Sequence, residues 1–99
     1  MWDANPKFWG SHAPVLFQII GSLKSGKFFY ENKEYSVSKH GQIRNNTNLE
    51  IDTSKADRLE YSVKSDAESL KLYPFQYEFY ARYILADNSI FVEHKVINQ

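Results

Sequence analysis

The sequence has no cysteine, which excludes disulfide frameworks, thiolate metal sites and cysteine nucleophiles in one step. It has no excess of either charge: Lys and Arg total 12, Asp and Glu total 12, and the formal net charge is +0. Without a basic surplus there is no global electrostatic reason to seek a phosphate backbone, so a nucleic-acid partner is not expected. Long apolar runs are also missing. The longest, Ala13 to Ile20, is interrupted by Gln18 and is far short of the roughly 20 residues of a membrane-spanning helix. The opening MWDANPKFWG lacks the apolar core of a secretory signal. The expectation is therefore a cytoplasmic chain with no membrane partner. At 99 residues it amounts to one small domain at most.

Aromatic side chains are abundant instead. Seven Phe, seven Tyr and two Trp make up 16% of the chain, while the mean hydropathy stays polar at −0.55. Aromatic and β-branched residues suit a pleated, half-buried surface better than a helix, so an all-β antiparallel fold is expected.

Residues 1–14 carry Asn5-Pro6, Gly10 and Pro14, which interrupt both regular periods and predict a loop. Val15 to Ile20 is continuously apolar apart from Gln18 and ends at Gly21, a pattern that predicts a strand covered on both faces. Lys27–Tyr30 and Lys33–Val37 flank Glu31-Asn32 and predict a hairpin, because Asn tolerates the left-handed backbone of a tight turn. His40-Gly41 and the Asn-rich 45–48 predict turns around Arg44. Residues 49–52 and 59–64 alternate apolar and polar and predict half-buried strands. Residues 66–71 predict one helical turn with Asp66 as its N-cap, stopped by Pro74. Phe75, Tyr77, Phe79, Ala81, Tyr83 and Leu85 share one face of a long strand. After a turn at Asp87-Asn88-Ser89, Ile90, Val92, His94 and Val96 form one face of the returning strand. Strands this long imply a broad sheet that 99 residues cannot cover on both sides, so a second sheet, another chain or missing sequence is expected.

The candidates for chemistry are few. No two of His12, His40 and His94 have the close spacing local metal sites use, and no metal is expected. His94 reads as a strand-face residue and His12 as a loop residue. His40-Gly41-Gln42-Ile43-Arg44 places an imidazole and a guanidinium beside a glycine that permits close backbone approach. A functional pair and a turn that merely satisfies backbone carbonyls both fit that spacing. The carboxylates show no pairing from which acid–base work could be argued. Ser25-Gly26-Lys27 lacks the glycine run of a phosphate loop and reads as a turn. Trp2, Phe8 and Trp9 read as core in preference to a sugar-stacking platform.

Several segments in order resemble the aldose 1-epimerase (galactose mutarotase) superfamily. Trp2-Asp3, Phe8-Trp9-Gly10 and Ala13-Pro14-Val15-Leu16-Phe17-Gln18-Ile19-Ile20-Gly21 resemble its W-x-R-x-A-P-V-L-F-P-I-x-G stretch. His40-Gly41-Gln42-Ile43-Arg44 resembles its H-G-F-A-R motif. Tyr73-Pro74-Phe75 and Val96-Ile97-Asn98 resemble its Y-P-F and V-x-N landmarks. Differences fall at Ser11, where the pattern has arginine, at Gln18, where it has proline, and at Gln42-Ile43, where it has Phe-Ala.

The resemblance covers the whole chain, read as a single partial aldose 1-epimerase-like domain over residues 1–99 from the N-terminal half of the family pattern. It implies a partial β-supersandwich of antiparallel sheets. It also implies interconversion of the anomers of a hexose or hexose phosphate without cofactor or metal. A carboxylate base would take the C1 hydroxyl proton, and a histidine acid would protonate the ring oxygen. Of the family's site it implies substrate-binding roles for His40 and Arg44. The family's acid and base lie beyond Asn98, so no catalytic residue is expected here and the chain is expected to be catalytically incomplete. The alternative is a non-catalytic sugar-binding module, or one that assembles with copies of itself through open sheet edges.

Overall fold

The structure is a computed structural model that describes residues 3–99. Its elements are two antiparallel sheets, one short helix and irregular segments that lie over the larger sheet. The smaller sheet is a hairpin of β1 (Lys27–Tyr30) and β2 (Lys33–Ser36). Its turn residues Glu31 and Asn32 have φ of 48° and 61°, the left-handed pair that a two-residue hairpin loop requires. As the sequence predicted, Ser25-Gly26 also makes a tight turn.

The larger sheet is a meander of β3 (Glu50–Lys55), β4 (Arg58–Lys64), β5 (Tyr77–Ala86) and β6 (Ser89–Asn98), neighbours in that order. Helix α1 (Ala67–Leu72) links β4 to β5. Asp66 caps it as expected: its carboxylate accepts from the Ser69 N–H at 2.7 Å, and the Ser69 hydroxyl oxygen accepts from the Asp66 N–H at 2.8 Å. This reciprocal pairing satisfies two otherwise orphaned donors. The predicted faces of the long strands are the observed ones. Tyr77, Phe79 and Ala81 of β5 are buried on one side, together with Val63 of β4 and Ile43. On the other side Arg82 bridges its cross-strand neighbours Glu60 and Glu93 at 2.6 and 2.9 Å.

Three expectations need correction. Residues 15–20 form no strand and are not covered on both faces, since Leu16 and Ile20 are exposed. The run is apolar because Phe17 lies over the sheet, 5.3 Å from the Tyr77 ring and 5.2 Å from Phe79. Its backbone pairs with the 38–43 turn instead: the Phe17 carbonyl accepts from the Ile43 N–H at 3.3 Å and the Gly21 carbonyl from the His40 N–H at 2.9 Å. Second, β5 begins at Tyr77 and not at Phe75. Phe75 packs on Tyr30 at 4.8 Å and on Tyr73 at 4.9 Å, joining the hairpin to the root of β5. Third, Phe8 is 82% exposed and Trp9 48% exposed. They sit on an irregular N-terminal turn and are not core; Trp2 lies outside the described residues.

One side of the larger sheet is only half covered. Residues 13–17 and 43–49 lie over β4 and β5, but Ile90, Val92 and Val96 of β6 remain exposed on the same side. The radius of gyration of 15.8 Å and the short axis of 19 Å describe a slab, wider than the roughly 13 Å expected of a compact 100-residue domain.

Gly41 has φ of +80°, and a Cβ there would run into the Phe17 carbonyl. We predict that Gly41→Ala costs roughly 2–4 kcal/mol by denaturant titration, whereas Gly10→Ala, whose Cβ meets nothing within 4 Å, stays within about 0.5 kcal/mol. Equal effects would refute the close approach. The Ser69 N–H, seconded by its side chain, holds the Asp66 carboxyl below the usual carboxylate range. A depressed folded-state pKa stabilises above the unfolded value and is lost as pH falls through the folded one. Asp66→Ala should therefore lower the melting temperature near neutrality, with the difference shrinking as the pH falls below the usual carboxylate range; a pH-independent difference would contradict this.

Candidate functional site

Arg44 sits in a short 3-10 turn, Ile43–Asn45, whose Ile43 is buried against the sheet. That anchoring fixes where the guanidinium emerges. It enters a groove of about 220 Å³ floored by Val63, Phe79 and Ala81 and walled by Tyr61, Tyr83 and Pro14. The groove is smaller than the roughly 300–1,000 Å³ of pockets for drug-sized ligands. Tyr61 and Tyr83 meet edge to face with centroids 6.2 Å apart, and Asn46 and Ser62 add polar groups at the rim. Arg44 Nη2 donates to Ser11 Oγ at 3.4 Å. Thus the serine standing where the family pattern has arginine touches the pattern's other arginine. Among the described residues no carboxylate pairs with Arg44.

His40 is not among the residues lining this groove. It has φ of +70°, and its Nδ1 pairs with the Ile20 carbonyl. A carbonyl can only accept, so Nδ1 is the donor in this contact. Together with the N–H bond to Gly21, this side chain clasps residues 20–21 onto the turn. His94 is a strand-face residue as expected, opposite Ala81 and 5.8 Å from the Phe79 ring. Among the described residues no three of His, Asp or Glu gather as metal ligands would, and no helix is long and apolar enough to cross a membrane.

A second polar cluster was not anticipated. Gln42 Oε1 accepts from Gln18 Nε2 at 2.6 Å and from the Tyr77 hydroxyl at 3.2 Å, while Gln42 Nε2 donates to the Ser69 carbonyl at 3.0 Å. One amide thereby ties the 15–20 segment, the turn, β5 and α1 together. Burial pushes the Tyr77 phenol up, which keeps it a neutral donor to Gln42. The buried Gln18 Oε1 accepts no hydrogen bond. The only sequence signal for this cluster was that Gln18 and Gln42 both depart from the family pattern.

What the site can do chemically is hold an anionic or polyhydroxylated ligand against aromatic edges. Among the described residues the groove lining contains neither carboxylate nor imidazole; its ionisable side chains are Arg44, Tyr61 and Tyr83.

No protein-family model matches the sequence. Two curated relatives do, the plasmid and chromosomal forms of Protein LacX from Lactococcus lactis subsp. lactis, 31% and 30% identical over 99% of this chain. The chain spans 34% of the length of each. Among solved structures, a galactose mutarotase related enzyme from Lactobacillus acidophilus superposes with a TM-score of 0.92 at 38% identity over 100% of this chain and 33% of its own. A galactose mutarotase-like protein from Lactobacillus casei superposes with a TM-score of 0.88 at 30% identity, over 98% of this chain and 33% of its own. The antiparallel sheets are those of the galactose mutarotase-like fold. The order of landmarks from Trp9-Gly10 to Val96-Ile97-Asn98, the sheet topology and these likenesses agree, and the chain belongs to the aldose 1-epimerase (galactose mutarotase) superfamily.

Proposed function

We propose that this chain carries a sugar-binding part of an aldose 1-epimerase-like protein, with the Arg44 groove receiving a hexose or hexose phosphate. The observation that carries the reading is Arg44: a guanidinium with no carboxylate partner among the described residues, at the rim of an aromatic-walled groove. A planar fork of donors suits vicinal hydroxyls or a phosphate, and the tyrosine edges suit the apolar face of a sugar ring. The similar solved structures, described as a galactose mutarotase related enzyme and a galactose mutarotase-like protein, support the substrate class. His40 enters as a positioning group, since its clasp on Ile20 and Gly21 holds the segment that leads back to Pro14 and Val15 at the groove.

Anomer interconversion needs a base for the C1 hydroxyl proton and an acid for the ring oxygen, each typically contributing 10²–10⁴-fold. Among the described residues the groove lining holds no carboxylate and no imidazole to serve in those roles. The 99 residues by themselves are therefore read as a binding unit with little catalysis of their own, in a cytoplasmic setting where phosphorylated hexoses occur.

Isothermal titration with galactose and with a hexose 6-phosphate should show saturable binding that Arg44→Ala weakens about 10–100-fold, as loss of a charge-assisted hydrogen bond would. Absence of binding by the folded wild-type chain would overturn the reading. Polarimetry of freshly dissolved α-galactose should show no mutarotation above the buffer rate. Acceleration would mean that an acid and a base among these residues had been overlooked.

A further inference from the structure

Arg44 reaches its groove from an irregular turn, and irregular backbone keeps its place only where something directional holds it. The groove has three parts. Residues 13–15 form one wall, the Ile43–Asn45 turn and Asn46 form another, and Val63, Phe79 and Ala81 of the sheet form the floor. Backbone joins the two irregular pieces to each other, the Ile43 N–H donating to the Phe17 carbonyl at 3.3 Å. Neither is joined to the floor in that way: among the described residues no backbone hydrogen bond runs from residues 13–20 or 41–46 to β4 or β5. Apolar contact presses them onto the sheet, Ile43 among Val63, Phe79 and Ala81, and Phe17 on the rings of Tyr77 and Phe79. Such contact is non-directional, so it brings the turn to the sheet without fixing where along the sheet it sits.

Gln42 supplies the direction. It immediately precedes Ile43 and does not itself line the groove. Its three hydrogen-bond partners lead to the three parts. Gln18, bonded at 2.6 Å, lies three residues after Val15 in the wall segment. Tyr77, bonded at 3.2 Å, lies two residues before Phe79 on the same buried face of β5. Ser69, whose carbonyl accepts at 3.0 Å, belongs to α1, which joins β4 to β5. Hydrogen bonds weaken steeply with misalignment. A shift of the turn along β5, or of the wall away from the turn, therefore breaks at least one bond of this amide.

We propose that Gln42 is the positioning residue of the groove: its amide fixes the turn that carries Arg44 over β5 and against the 13–15 wall, and thereby sets the affinity of Arg44 for a sugar. The affinity part rests on the sugar reading of the groove; the positioning part does not.

The test compares wild type with Gln42→Met, which keeps the side-chain length and removes all three bonds. Gln18→Met removes only the bond to the wall segment, so it serves if Gln42→Met does not fold. Phe28→Leu is the control: it weakens the aromatic packing of the hairpin, remote from this amide. By hydrogen exchange, Gln42→Met should speed the Ile43 and Asn46 amides roughly tenfold more than the amides shared by β4 and β5, and Gln18→Met should do the same in smaller measure. Phe28→Leu should leave the ratio between the two sets unchanged, as a loss of global stability alone would. In titrations followed by NMR with galactose and with a hexose 6-phosphate, Gln42→Met should weaken binding about three- to tenfold. In the Arg44→Ala background it should weaken binding no further, because its effect passes through Arg44; independent effects would multiply. An unchanged exchange ratio in both variants would overturn the proposal, as would unaltered sugar affinity in a folded Gln42→Met or losses that multiply. A wild type that takes up neither sugar would refute the sugar reading, and the exchange ratio, which needs no ligand, would still decide whether Gln42 places the turn.

Discussion

Burial on one side of β5 is the constraint from which most of this molecule follows. A strand presents alternate residues to opposite faces, and β5 devotes Tyr77, Phe79 and Ala81 to a single side. That side needs a cover. Among the described residues that cover is irregular backbone, the 15–17 segment and the Ile43 turn, held in place by side chains. Phe17 supplies the apolar contact, while Gln42 and His40 secure the polar backbone around it. The opposite side carries ion pairs and faces water. The core is accordingly thin, and the aromatic chain from Phe28 through Tyr73 and Phe75 to Tyr30 fastens the small hairpin to the same strand.

Where the sequence was legible, a period or a turn chemistry was local. The faces of β4, β5 and β6, the Glu31-Asn32 turn and the Asp66 cap each depend on residues within a few positions of one another. The 15–20 segment was misread because continuous apolarity reports burial and not hydrogen-bond pairing. Its backbone partners lie far along the chain, Ile43 bonding to Phe17 and His40 to the adjoining Gly21, and no local pattern announces them. Phe8 and Trp9 misled for a related reason: aromatic side chains forecast core only when a regular element carries them to it.

The site divides in the same way. Arg44 was picked out by its motif, and the structure puts it at a groove lined by sheet aromatics and loop polar groups. His40 belonged to the same motif, yet its imidazole is turned towards backbone. Five residues of sequence cannot distinguish a side chain aimed at a groove from one closing a turn. Gln42 lies between them and was passed over. A glutamine has no chemistry to advertise, and its importance comes from four segments meeting at one amide.

The Gln18 and Gln42 contact bears on how such a chain can change over time. Each is a departure from the family pattern, proline giving way at one position and phenylalanine at the other, and the two side chains touch. A reversion at Gln42 alone would strand the Gln18 amide and the Tyr77 hydroxyl in a buried setting. A reversion at Gln18 alone would remove a donor on which Gln42 relies. The coupling is unequal, because Gln42 Oε1 keeps the Tyr77 hydroxyl as a donor when position 18 changes, whereas a change at position 42 leaves two buried polar side chains without that partner. Position 18 is therefore the freer of the two to vary, and position 42 the one that the surrounding segments hold in place.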